Sequence, residues 1–300
     1  MSTPRTMTLP DGVHPATLET DRGSFATLRA VPEIGTPLGT VLLVPGWTGS
    51  KEDFTPLLDH LARYGWIAVG VDQRGQFETP GPDDASAYTL EEFGADVVAM
   101  SVALGGYSQL VGHSFGGLVA REAVLIDPSV FSTLTLLCTG PAGFTNEETL
   151  QGLQMLAFGL ENLPIEQVYD LKLEHDAKNP GYVEPPAEIA AFVRNRFISN
   201  TPASLAAITR HLTSAVDKTD QLAEAGVRTQ LVYGETDDGW PLPVQNDVAE
   251  RLGIEPQMVP DAGHSPAIEQ PAATARLLID FFHKRSGFTD PPTPSATDAD

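Results

Sequence analysis

Apolar residues along this chain fall by turns in short dense runs and at helical spacing. Thr40-Val41-Leu42-Leu43-Val44 and Ile67-Ala68-Val69-Gly70-Val71 are nearly unbroken apolar runs, the form of strands covered on both faces. Between them, Phe54, Leu57, Leu58 and Leu61 stand at i, i+3, i+4 and i+7 and predict a helix. The alternation continues with a helix over 90–104, a strand over 108–112, a helix over 115–126 and a strand over 131–138. Ahead of this, Ala16-Thr17-Leu18-Glu19 and Phe25-Ala26-Thr27-Leu28 flank Asp21-Arg22-Gly23 and predict a hairpin closed by a glycine turn. Strands and helices alternating at this interval predict an α/β fold. Its sheet is mostly parallel, with helices on both faces and right-handed crossovers.

The rhythm changes between 141 and 225. Leu150, Leu153, Leu156, Ala157, Leu160 and Leu163 keep a helical period, 189–197 and 204–216 are further helix candidates, and no strand separates them. A proline- and glycine-rich stretch over 179–186 lies among them. The expected organisation is therefore a core made of 1–140 and 226–285, with 141–225 inserted as a helical cap. The core resumes with a strand over 229–233, a helix over 244–252, a strand over 257–259 and a closing helix over 272–284. Residues 286–300 are rich in Pro, Thr, Ser and Asp without an apolar pattern and are expected to form a disordered tail.

Composition narrows the function classes. With 300 residues, 41% of them hydrophobic, the chain can bury a sizeable core. Its net charge of −22 opposes nucleic acid and anionic membrane surfaces, which both need positive protein surface. The aliphatic runs are too short to span a bilayer, and the N-terminal residues hold no apolar signal core, so a soluble cytoplasmic protein is expected. Cys138, the only cysteine, reads as a small core hydrophobe. With no His-Glu-x-x-His and no cysteine pair, neither a metal nor another cofactor is expected. The expected partner is a small-molecule substrate, and a homo-oligomer stays open.

The candidate chemistry centres on Gly112-His113-Ser114-Phe115-Gly116, which follows a predicted strand and opens a predicted helix. A tight strand-to-helix turn needs small residues on either side, and it lifts the Ser114 hydroxyl above the C-terminal edge of the sheet. His113 reads as a packing or supporting neighbour. Asp237 and Asp238 lie just past the strand at 229–233, and His264 lies in the loop after the strand at 257–259. A loop acid or loop histidine is ordinarily just solvated. Here a serine, an acid and a histidine follow in order, each beyond the C-terminal end of a strand, as a nucleophile, an orienting acid and a general base require.

Taken with Val44-Pro45-Gly46-Trp47-Thr48-Gly49, Asp72-Gln73-Arg74-Gly75, the loop from Gly234 to Asp237 and Gly263-His264-Ser265-Pro266, these residues resemble the α/β-hydrolase superfamily. The likeness lies with the branch that carries a helical cap and spans about 12–285. It implies Ser114 as nucleophile, His264 as base, Asp237 as the acid, and an oxyanion hole from the backbone N–H groups of Trp47 and Phe115. Two departures stand out. The family's frequent His-Gly before the oxyanion residue is Pro45-Gly46, so only the backbone role of Trp47 carries over. Its common Gly-His-Gly after Asp-x-Arg-Gly is replaced by Gly75-Gln76-Phe77.

The resemblance implies hydrolysis of a carboxylic ester of small to medium, uncharged or apolar character, through an acyl-enzyme. The same triad serves C–C bond hydrolysis, lactone opening, cofactor-free peroxidation and acyl transfer, and a non-catalytic receptor can also keep the fold. Dehalogenases and epoxide hydrolases of this fold need a carboxylate nucleophile, which Ser114 is not. Asp72 and Arg74 are expected to pin the neighbouring loop. Met155, Phe158, Phe192, Phe197 and Trp240 are candidates for an apolar substrate pocket, although helix-spaced aromatics also serve as plain core. Arg194 and Arg196 are the first candidates for a clamp should the substrate carry a carboxylate.

Overall fold

The sheet starts as the alternating residues predict, with β1 (Val13–Thr20) and β2 (Gly23–Ala30) paired as an antiparallel hairpin. In the computed structural model, which describes residues 2–178 and 181–286, β3 (Gly39–Val44) then leads through a short 3-10 turn, Lys51–Phe54, into α1 (Thr55–Arg63). There follow β4 (Trp66–Val71), α2 (Leu90–Ala103), β5 (Ser108–His113), α3 (Phe115–Ile126) and β6 (Phe131–Leu137). After the intervening helices come β7 (Arg228–Gly234) and β8 (Gln257–Val259). The eight strands form one sheet in the order β1-β2-β4-β3-β5-β6-β7-β8. Only the β1–β2 and β2–β4 pairings are antiparallel.

The unbroken apolar run of β3 has a simple cause. Successive side chains of a strand point to opposite faces, and both faces are covered here. Leu42 and Val44 join the buried cluster that contains Phe93, Val97, Leu118 and Val119 of α2 and α3. Val41 and Leu43 join the other cluster, with Leu57, Leu58 and Leu61 of α1. That second face is closed by Leu278, Ile279 and Phe282 of α11 (Pro271–Ser286). The expected tail, apart from Ser286, lies outside the described residues.

Between β6 and β7 come α4 (Glu147–Asn162), α5 (Ile165–Asp176), α6 (Ala187–Ile198) and α7 (Pro202–Ser214). They share a small apolar centre of their own, formed by Leu160, Val168, Tyr169, Phe197, Leu205 and Ala206. The segment leaves and rejoins the core at one neck, where Gly143 N donates to Ala215 O at 2.9 Å and Phe144 N to Leu212 O at 2.7 Å. The next helix, α8 (Thr219–Glu224), belongs with the core, short of the expected boundary at 225. Its Leu222 packs in the α2–α3 cluster, Lys218 reaches Glu122 on α3, and Asp217 and Asp220 bind Arg251. Arg251 lies on α9 (Leu242–Leu252). Neither α5 nor α8 is apparent from periodicity, because each buries only two side chains. The last short helix is α10 (Pro266–Glu269), directly after the His264 loop.

Candidate active site

Ser114 occupies the single residue between β5 and α3. Its backbone is in the left-handed half of φ/ψ space, at φ 54° and ψ −121°, a strained arrangement for a side chain that the surroundings must hold. They do so by hydrogen bonds from Ser114 N to Leu137 O at 2.9 Å and from Thr139 Oγ1 to Ser114 O at 2.8 Å. The flanking glycines answer a steric demand. A Cβ on Gly112 would lie 2.3 Å from Gly116 O, and one on Gly116 would lie 2.3 Å from Val44 O. The turn closes only because both atoms are missing.

The loops after β7 and β8 open at the same sheet edge and bring the expected partners to Ser114. The Ser114 hydroxyl donates to His264 Nε2 at 3.0 Å, and His264 Nδ1–H donates to Asp237 Oδ1 at 2.7 Å. This pattern assigns the neutral Nδ1–H tautomer through the hydrogen bonds. Asp237, rather than Asp238, makes the bond: its side chain is fully buried, whereas Asp238 is exposed. Burial alone would raise the Asp237 carboxyl. The bond from His264, the Gly239 N–H at 2.9 Å and Gln245 Nε2 at 3.2 Å act against burial, and the carboxyl lies below its ordinary value.

His113 is fixed beneath His264. Burial, with His264 close by, pushes its imidazole down to about 3. It is therefore neutral at physiological pH, and its Nε2–H donates to the backbone carbonyl of His264 at 2.6 Å. Burial also pushes the Cys138 thiol well above its ordinary value, in keeping with a core side chain. Asp72 and Arg74 turn away from the site. Asp72 holds the Lys51 N–H and ammonium, each at 2.8 Å, and Arg74 pairs with Asp96.

Both oxyanion candidates border Ser114 in the fold. Phe115 begins α3, and Trp47 follows Gly46, whose backbone packs against Ser114. Among the described residues, no protein acceptor takes the N–H of either one.

Of the five pocket candidates, Trp240 alone is found against the triad, its ring 6.4 Å from that of His264 and stacked on Phe144 at 4.5 Å. Phe197 is wholly buried in the centre shared by α4–α7 and serves packing there. Phe192 stands edge-on to Phe77 at 5.7 Å. Met155 is 75% exposed and Phe158 67% exposed on the outer side of α4. Phe158 borders a cavity of about 180 Å³ that also touches Thr209 and Arg210. These departures share a cause, since helical spacing marks an apolar face without saying what that face meets. Arg196 is likewise no clamp, because its guanidinium is buried against Asp53. Arg194 is exposed and sits over the Tyr169 ring at 5.8 Å.

Four further side chains make contacts at the site that the sequence does not predict: Gln73, Gln76, Thr209 and Gln245. Amide and hydroxyl residues have no periodic signature, and their partners are backbone atoms or distant side chains.

An open α/β sheet whose strand ends gather a serine, a histidine and a carboxylate defines the class, and the comparisons agree. The sequence profile of the alpha/beta hydrolase family matches residues 41–277, and the chain belongs to that family and is a hydrolase. Among solved structures, it is similar to a carboxylesterase of the thaumarchaeon Nitrososphaera gargenis, with 17% identity over 90% of this chain and 98% of the other, at a TM-score of 0.71. It is similar also to a thermophilic esterase from Thermogutta terrifontis, with 21% identity, the same two coverages and a TM-score of 0.69. An N-acyl homoserine lactonase matches with 20% identity over 90% and 98% of the two chains, at a TM-score of 0.70.

Proposed function

We propose that this hydrolase cleaves carboxylic esters of small to medium, uncharged or apolar substrates through an acyl-enzyme on Ser114. The observation that carries the reading is the unbroken line from the Ser114 hydroxyl through His264 to buried Asp237, at 3.0 and 2.7 Å. As Ser114 Oγ adds to the acyl carbon, His264 Nε2 takes its proton and Asp237 holds the resulting imidazolium. The carbonyl electron pair moves onto oxygen, within reach of the Trp47 and Phe115 N–H groups. Collapse expels the alcohol, which leaves with the proton from His264. Water activated by the same base then releases the acid. Each oxyanion donor contributes roughly 3–4 kcal/mol to the transition state.

A lactone is an internal ester and uses the same steps, and the likeness to a lactonase favours it as a second substrate class. The test is labelling with a fluorophosphonate, peptide mapping of the adduct, and turnover of a panel of p-nitrophenyl esters and lactones by wild type and Ser114→Ala. The reading expects the label on Ser114 and no turnover in Ser114→Ala with an unchanged melting temperature. Label elsewhere, or a Ser114→Ala protein that retains more than trace turnover, overturns it. The balance of ester and lactone rates in the wild type decides between the substrate classes.

A further inference from the structure

The segment 75–77, where this chain departs from the common family sequence, reaches the oxyanion loop. Gln76 is wholly buried. Its Nε2 donates to Gly46 O at 3.0 Å, and its Oε1 accepts from Gln73 N at 3.1 Å. Gln73 sends its own Nε2 to Pro45 O at 3.0 Å. Two buried carboxamides thus hold two successive carbonyls of the loop after β3. Gly46 O also receives Gly49 N–H at 3.1 Å, closing a tight turn. One residue on, the Trp47 indole N–H donates to Thr209 Oγ1 of α7 at 3.0 Å.

The Gly46 carbonyl and the Trp47 N–H belong to one planar peptide group. Whatever grips the oxygen therefore aims the hydrogen. This peptide also lies against the nucleophile, since a Cβ on Gly46 would come within 2.9 Å of Ser114 Cβ and 3.3 Å of its Oγ.

We infer that Gln76 is a positioning residue for the oxyanion hole, acting on the Trp47 N–H through the Gly46 carbonyl. It fixes the plane of that peptide. By donating to the oxygen, it also polarises the amide and makes the N–H at the far end a stronger donor. It takes no part in proton transfer and meets no substrate atom. Its contribution therefore appears when negative charge develops on the acyl oxygen, in kcat rather than in KM. The inference rests on Trp47 serving as an oxyanion donor in the reaction proposed above. Removing a donor outright costs about 10²–10³ in kcat. The Gly49 N–H still holds the carbonyl when Gln76 is lost, so a smaller fall, about ten- to fifty-fold, is expected.

The test compares wild type, Gln76→Met and Gln76→Leu on a p-nitrophenyl ester, with melting curves for each. Met keeps the length and burial but has no donor. Leu also lacks a donor and suits a buried site with a shorter, stiffer side chain, so it serves if Met fails to fold. Affinity for an aryl boronic acid, which forms a tetrahedral adduct with serine, is measured alongside. The expected result is a fall of about ten- to fifty-fold in kcat, an unchanged KM and a matching loss of boronate affinity. A folded variant with wild-type kcat, a loss confined to KM, or unchanged boronate affinity overturns the inference. Ser114→Ala in the same assay separates the two readings. Turnover surviving there fells the parent reading, whereas a dead Ser114→Ala beside an unimpaired Gln76 variant fells only this one.

Discussion

Arg196 belongs to α6 but spends its guanidinium elsewhere. It is wholly buried, donating from Nη1 to Asp53 Oδ1 at 2.7 Å and from Nη2 to Ser2 O at 2.6 Å. Asp53, also buried, lies in the turn just after the loop that follows β3. Burial pushes its carboxyl above the ordinary value even with Arg196 acting against it. Substituting Arg196→Met leaves an unpaired carboxylate in the interior, at a cost of about 3–5 kcal/mol near neutral pH. It also strands the Ser2 carbonyl. The double variant Arg196→Met/Asp53→Leu buries no charge and is expected to recover most of that loss.

The pH dependence has a definite sign. A carboxyl whose folded pKa is raised contributes stability that is complete below the unfolded value, about 3.9, and is lost as pH rises through the folded value. Removing Arg196 raises the folded value further, and each added unit costs about 1.4 kcal/mol at neutral pH. The deficit of Arg196→Met is therefore larger near about pH 8 than near about pH 5. Urea denaturation of the four proteins of the cycle at both pH values, followed by tryptophan fluorescence, measures it. A double variant as unstable as the sum of the singles, or a deficit that grows on acidification, would refute the reasoning.

Asp237→Asn is expected to lower kcat by about 10⁴ by upsetting the imidazole tautomer, while exposed Asp238→Asn stays within a few-fold in the same ester assay. Gly116→Ala, whose Cβ would meet Val44 O at 2.3 Å, is expected to be recovered unfolded or with a sharply lowered melting temperature. With a net charge of −22 and Arg196 engaged internally, a carboxylated ester is expected to show a lower kcat/KM than its neutral isostere. The gap narrows from about 0.01 M to about 0.1 M salt as the screening length falls from about 30 to about 10 Å.

The parts legible in the sequence are those with a strong local cause. The apolar runs of β3 and β4 are dense because both faces of the sheet are covered, and Gly112 is required by an atom only four residues on, Gly116 O, although Gly116 itself answers to Val44 O on the neighbouring strand. Ser114, Asp237 and His264 each follow the C-terminal end of a strand of one parallel sheet, so chain order and strand ends together predict that they meet at one edge. What escaped was set by distant partners. Gln245 supports Asp237 from the first turn of α9, and Thr209 holds Trp47 from α7, but neither residue type leaves a mark in the pattern. The apolar candidates of the helical segment show the converse. Phe197 and Met155 share one apolar signature, yet one is core and the other lies on the surface.

The neck at Gly143–Phe144 and Leu212–Ala215 bears on how a chain of this design changes over evolutionary time. Two backbone bonds join the incoming and outgoing ends of the helical segment, so the segment can lengthen, shorten or be exchanged as a block without shifting the register of β6 against β7. The sheet would hardly register such an exchange, but the loop beside Ser114 would. Trp47 would lose its grip on Thr209, and Asp53 its grip on Arg196. A graft without equivalents of these two residues would inherit a sound scaffold and a slackened loop beside Ser114.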